Sequence, residues 1–147
     1  MASFNTSGID DAIAQLAELA RLSEDAADDI LTAMASVVEK AQQSKIRSLG
    51  LVSTGELAGS ITAELKTGEH GHYALVYPRG THHTYKSRRT GRRSTATNAE
   101  VGFVHEYGAP QRNIPAKHWM RTANEESAEA RVSAGQAALD KFIDSKL

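Results

Sequence analysis

Between Ser23 and Gly50 the chain carries a helical stripe long enough to set the scale of everything packed around it. Ala27, Leu31, Met34, Val38 and Ala41 recur at three- and four-residue steps and lead into Lys45. Ala26, Ile30, Ala33 and Val37 widen the stripe, and this spacing buries one face of an α-helix. Ser23 is suited to the N-cap, where its hydroxyl can accept a backbone N–H. Glu24, Asp25, Asp28 and Asp29 fall in the first turns, where the helix dipole favours negative charge. Lys45 and Arg47 lie near the other end, and Gly50 supplies a stop. At 1.5 Å per residue the element runs about 35–40 Å. Ahead of it, Ser7 reads as the cap of a separate helix with Ile9, Ile13, Leu16 and Ala20 on one face.

After the helices the period changes. Ser60 to Lys66 alternates Ile61, Ala63 and Leu65 against Thr62, Glu64 and Lys66, the pattern of a half-buried strand. Gly68-Glu69-His70-Gly71 forms a hairpin turn. His72 to Tyr77 returns with Tyr73, Leu75 and Tyr77 on one face, and Pro78 ends it. A second alternation, Ala99, Val101, Phe103 and His105 against Glu100, Gly102 and Val104, predicts a third strand. Pro115 precedes a final helix predicted from about Ala116 to Ile143, with a weak face of Met120, Ala123, Ser127, Ala130, Ala134 and Ala137 interrupted by Gly135. The order gives an α+β fold: a small antiparallel sheet with a long hairpin loop, packed against long N-terminal and C-terminal helices. Residues 1–147 are expected to form a single domain. Apolar residues make up 40% but are rich in alanine, and aromatics reach only 5%. A thin core follows, with neighbouring subunits expected to supply part of the stability.

Several function classes are set aside by what the chain lacks. With no cysteine there is no disulfide framework and no thiolate metal site. Met1 to Ser7 does not have the basic-then-apolar order of a signal peptide. No apolar run approaches the ~18–20 residues of a membrane span, so a soluble protein is expected. His105-Glu106 lacks the second histidine of a metalloprotease motif, since position 109 is Ala109. His70, His72, His82, His83, His105 and His118 are scattered over a hairpin, a loop and other segments and read as surface histidines. No nucleophile elbow, phosphate-binding loop or dinucleotide fingerprint is present. The chain is expected to be no enzyme and to need no metal or cofactor.

Charge is distributed unevenly. Residues 1–36 hold seven acids (Asp10, Asp11, Glu18, Glu24, Asp25, Asp28, Asp29) against Arg21, whereas residues 79–93 hold six bases (Arg79, Lys86, Arg88, Arg89, Arg92, Arg93) and no acid. An acidic end and a basic loop suit head-to-tail contacts between copies, or a basic lining around nucleic acid. Residues 79–98 show no periodicity, and a loop of ~20 residues is either functional or disordered. Its bases can neutralise phosphates without reading sequence, and Tyr85 can stack on a base. A solvated hairpin tip and contact with an acidic protein are the alternatives. Glu106 reads either as a partly buried carboxylate, bonded to the loop backbone after Gly108 or paired with Arg112 or Arg121, or as one half of an intersubunit salt bridge.

Three blocks in order carry a resemblance: Thr54-Gly55-Glu56-Leu57-Ala58-Gly59-Ser60-Ile61, Val104-His105-Glu106-Tyr107-Gly108, and Ile114-Pro115-Ala116-Lys117-His118-Trp119-Met120-Arg121-Thr122-Ala123. They resemble the tail-completion, or head–tail joining, proteins of long-tailed phages, the family typified by gene product ten of a lambdoid phage. In the third block Lys117, His118, Trp119 and Thr122 stand where the family has arginine, proline, phenylalanine and proline. The physical reading agrees: Thr54-Gly55 makes a tight turn, and Leu57 and Ile61 anchor the hairpin. Gly108 lets the chain turn, Pro115 pre-sets a first helical turn, and Trp119 fills a groove. Thr54, Gly55, Leu57, Glu106, Tyr107, Gly108, Pro115, Lys117, Trp119 and Arg121 are thus expected to be structural or subunit-interface residues.

The resemblance implies a non-enzymatic virion protein, made in the host bacterial cytoplasm, that completes the tail at the neck and joins it to the DNA-filled head. It implies a ring, often of six subunits, between the tail tube protein and the connector or stopper proteins of the head. Residues 79–98 would project from the body and reach a partner or packaged DNA. The alternatives are a tail terminator of the same neck region, or a small non-specific DNA-binding protein using the basic loop.

Overall fold

A computed structural model describes residues 7–51, 55–81, 85–86 and 89–146. Its frame is one helix, α1, Ser7–Ser48, of 42 residues, roughly 63 Å long at 1.5 Å per residue. The expected division at Ser23 does not occur. The Ser23 hydroxyl donates to the carbonyl of Ala20 at 2.7 Å, a bond made within an unbroken helix. From Ile9 to Ser48 the chain contains neither glycine nor proline, and the flanking Ala, Leu and Glu are strong helix formers. One serine does not outweigh them. Where α1 does end, the sequence reading holds. Gly50 takes φ 70°, its N–H bonds the carbonyl of Arg47 at 3.1 Å, and the N–H of Leu51 bonds the carbonyl of Ile46 at 3.0 Å. This is the Schellman pattern, and its hydrophobic contact is made by Leu51 packing on the cluster around Ile46.

A short turn of helix, α2 (Glu56–Gly59), leads into the hairpin of β1 (Ile61–Gly68) and β2 (Gly71–Pro78). The register runs from Ile61 opposite Pro78 to Gly68 opposite Gly71, so the loop is Glu69-His70 as expected. Ala74 and Val76 turn toward Leu31, Met34, Ala35 and Val38 of α1, and His72 bonds Asp28 at 2.9 Å. Because successive strand residues alternate in direction, Tyr73, Leu75 and Tyr77 share the other face. The Tyr77 hydroxyl donates to Glu64 at 2.8 Å and holds that carboxyl below its ordinary range.

Residues 98–107 form a helix, α3 (Asn98–Tyr107), and not the predicted third strand. Thr97 accepts the N–H of Glu100 at 3.1 Å, while Glu100 accepts the N–H of Thr97 at 2.8 Å, a reciprocal capping box. The buried positions are Asn98, Gly102 and Glu106, four residues apart and none of them apolar. The alternation of apolar residues therefore described no buried face. Replacing Thr97 with Ala removes one half of the box, and the expected loss is about 1 kcal/mol, read as a lowered urea midpoint at unchanged slope.

The last helix starts later than predicted and is broken. Pro115 lies not in a first helical turn but in an extended approach, pinned when the N–H of Lys117 bonds the carbonyl of His105 at 2.8 Å. Helix α4 runs Trp119–Glu126 and α5 runs Ala128–Lys146, on either side of Ser127. The break resets the inward face, so Ala130 and Ala137 of the predicted stripe are exposed while Gly135 is buried. Gly135 lets α5 lie close on α1, since a Cβ there would stand 2.9 Å from Met34 Sδ. The Gln42 side-chain amide donates to Asn124 Oδ1 at 3.0 Å, and Lys45 pairs with Glu126, tying α4 to α1. The core is small: Ile46, Leu57, Ala58, Ile61 and Trp119, edged by Leu51, Val76, Val101 and Met120.

Candidate functional site

The residues of the second and third blocks converge where α3 hands over to α4. Gly108, at φ 79°, turns the chain so tightly that a Cβ would lie 2.7 Å from the backbone nitrogen of Ala116. The turn ends in an antiparallel bridge between Ala109 and Ile114. His118, at φ 48°, gives α4 no side-chain cap. That role falls to Glu106 on α3, a residue only 6% exposed. It accepts the N–H of Met120 at 2.7 Å and of Arg121 at 3.3 Å, satisfying donors that a helix N-terminus leaves open and facing the positive end of its dipole. Arg121 thus meets Glu106 through its backbone, with its side chain exposed.

Glu106→Leu leaves those two donors buried without an acceptor, and the expected loss is about 2–3 kcal/mol. Urea unfolding of the variant checks it, and an unchanged midpoint would remove Glu106 from the role of cap.

Trp119 is fully enclosed, and its indole N–H donates to the carbonyl of Gly102 at 2.9 Å. A Cβ on Gly102 would meet Pro78 at 3.1 Å and the indole at 3.2 Å, so the bare glycine is what admits the ring. Leu57 is buried beside them, and Gly55 opens α2 at φ 75°. Pro115 and Lys117 are exposed. Thr54 lies outside the described residues.

Above this joint stands the region read as an aperiodic loop. It doubles back as a narrow ribbon, with β3 (Tyr85–Lys86) antiparallel to β4 (Arg93–Ser94) and a bridge from Thr81 to Thr97 lower down. Asn98 clamps its base: the backbone N–H bonds the carbonyl of Gly80 at 2.9 Å, and the side-chain amide donates to the carbonyl of Arg79 at 2.9 Å. Arg79, Arg89, Arg92 and Arg93 are exposed. Arg88 is outside the described residues, and only the backbone of Tyr85 and Lys86 is placed.

Between the ribbon base, α3 and the 109–114 turn lies a groove of about 800 Å³, lined by Ala96, Ala99, Phe103, Val104, Arg112 and Ile114 among others. Phe103 and Tyr107 are each 62% exposed, and their ring centroids lie 4.7 Å apart. Tyr107 was legible in the second block. Phe103 and Asn98 were missed, and only helical spacing from a Thr97 cap would have put Phe103 and Tyr107 on one outer face.

Buried polar groups here hold backbone to backbone, while an apolar shoulder and a basic ribbon face outward. Among the described residues no group of three or more His, Asp or Glu side chains is placed to hold a metal ion, and no helix is long and apolar enough to cross a membrane. Together these features define a small α+β structural module. Residues 10–99 match the profile of the family described as "Bacteriophage HK97-gp10, putative tail-component", and the chain belongs to that family. It is a component of the phage tail. The match runs from α1 to the first turn of α3 and stops short of the second and third blocks. No curated protein and no solved structure matches the chain.

Proposed function

We propose that this tail component completes the neck end of the tail and joins it to the DNA-filled head as a closed ring of identical copies. The observation that carries this reading is apolar surface left uncovered on separate faces. Ile13 and Leu16 are 59% and 66% exposed near the start of α1, and Phe103 and Tyr107 stand out on α3. Aromatic and aliphatic side chains exposed together mark contact surfaces, and surfaces that differ from each other join copies head to tail, an arrangement that forms a ring when the rotation between copies closes. Within that ring the 79–98 ribbon reaches tail tube, connector or DNA. Electron micrographs of a lysate from phage lacking the gene test the reading: filled heads beside separate tails of normal length are expected. Tails of abnormal length would replace joining with tube termination, and intact virions would end both. The exposed arginines of the ribbon favour one further reading, non-specific DNA binding, whose mark is duplex affinity that falls steeply with salt.

A further inference from the structure

We infer that the start of α1 in one copy docks in the α3 groove of the next copy. The inference rests on the ring reading above and names its junction. The donor is the helix before the body begins. Ile13, Leu16, Ala17 and Ala20 are exposed and fall at steps of three and four, on one helical face. Contacts with the body begin further along, where Asp25 and Asp29 stand beside Phe142 of α5 and Asp28 meets His72. The turns of α1 around Ile13 and Leu16 therefore stand at the edge of the body, ahead of Glu18, which the charge of Lys146 at the end of α5 reaches, and carry an apolar face that needs a partner.

The acceptor is complementary in shape and charge. Ala99, Phe103 and Tyr107 repeat every four residues along α3, a ridge against which a second helix can lie, and the groove beside them is mainly apolar in its lining. Between Ser7 and Ala20 the donor carries Asp10, Asp11 and Glu18 and no base, Glu18 being shared with Arg21 one turn on at 2.9 Å. Arg112 at the groove and Arg89, Arg92 and Arg93 on the ribbon make the acceptor side basic. Glu100 also lines the groove, with its carboxylate already engaged by the N–H of Thr97. A chain cannot fill its own groove. From Ile9 onward α1 has no glycine or proline at which to fold back, and α3 packs against α2, α4 and β2. The occupant is a second copy.

Two variants altered at exposed side chains test the junction. Leu16→Glu spoils the donor and leaves the acceptor intact, and Phe103→Glu does the reverse. Each alone is expected to self-associate about 100-fold more weakly than the unaltered chain. Mixed in equal amounts, they retain one good donor and one good acceptor, so sedimentation should show a one-to-one dimer and nothing larger. A mixture that stays monomeric, or either variant assembling as the unaltered chain does, overturns the proposal. Because the chain has no cysteine, Leu16→Cys mixed with Phe103→Cys gives an independent check: a disulfide-linked dimer that neither variant forms alone. Separate heads and tails in the gene-deleted lysate, together with a monomeric mixture, would keep the neck role and remove this junction. A dimeric mixture with normal virions would do the opposite.

Discussion

Trp119→Ala is expected to cost about 3–5 kcal/mol, the largest single-residue loss of stability in the chain. The indole is fully enclosed, and among the described residues only Ile46, Leu57, Ala58 and Ile61 share its buried cluster. A domain of this size is stable by only about 5–15 kcal/mol in total, so the variant should be partly unfolded near room temperature. Two losses combine. The ring's volume becomes a cavity that Gly102 cannot fill, because the helix backbone holds it in place. The carbonyl of Gly102 also loses the indole N–H at 2.9 Å. Trp119→Phe separates the two, since it keeps most of the bulk and drops the donor, and should cost about 1–3 kcal/mol. Urea titrations of both variants check the ordering. Equal midpoints for the unaltered chain and Trp119→Ala would mean that the core lies elsewhere.

How far the sequence could be read depended on whether the buried faces were apolar. The α1 stripe was legible because Leu31, Met34 and Val38 are apolar and face the body, the Gly50 stop because its φ is positive, and the β1–β2 hairpin because glycines flank its two-residue loop. Helix α3 was not, because its inner face is Asn98, Gly102 and Glu106 while its two aromatic residues, Phe103 and Tyr107, point outward. Apolar periodicity then traces the wrong face, and the deciding signal was local: threonine and glutamate three apart. The start of α4 was misplaced for a related reason. Pro115 marks a bend, but the carboxylate that caps the helix comes from another helix, a pairing that no spacing rule expresses. Ser23 failed as a boundary because a good capping residue is only a preference, and its neighbours favour helix on both sides. The family was legible from three short blocks, two of which proved to build the α3–α4 joint.

Replacing residues 82–95 with two glycines should leave the fold intact and abolish the joining of heads to tails. The fold survives because the described contacts at the base of the ribbon lie below the cut. Arg79 N–H bonds the carbonyl of Ser60 at 2.9 Å, Asn98 holds Gly80 and Arg79, and Thr81 pairs with Thr97. None of the described residues among those removed belongs to the buried cluster, and closing a shorter surface loop lowers the entropic cost by only about 1–1.5 kcal/mol. Thermal melts of the shortened and full chains should nearly coincide. Infectivity should not survive, because the shortened chain has lost the exposed Arg89, Arg92 and Arg93 with which the ribbon would meet a partner. A triple change of those arginines to serine then tells DNA from protein. If they neutralise phosphates, the salt dependence of duplex binding should flatten by roughly 0.9 in log–log slope per lost contact. If they meet an acidic protein surface, DNA binding stays weak in both forms and only joining suffers. Full infectivity of the shortened chain would take the ribbon out of the neck contact altogether and leave the α1–α3 junction as the surface by which this protein assembles.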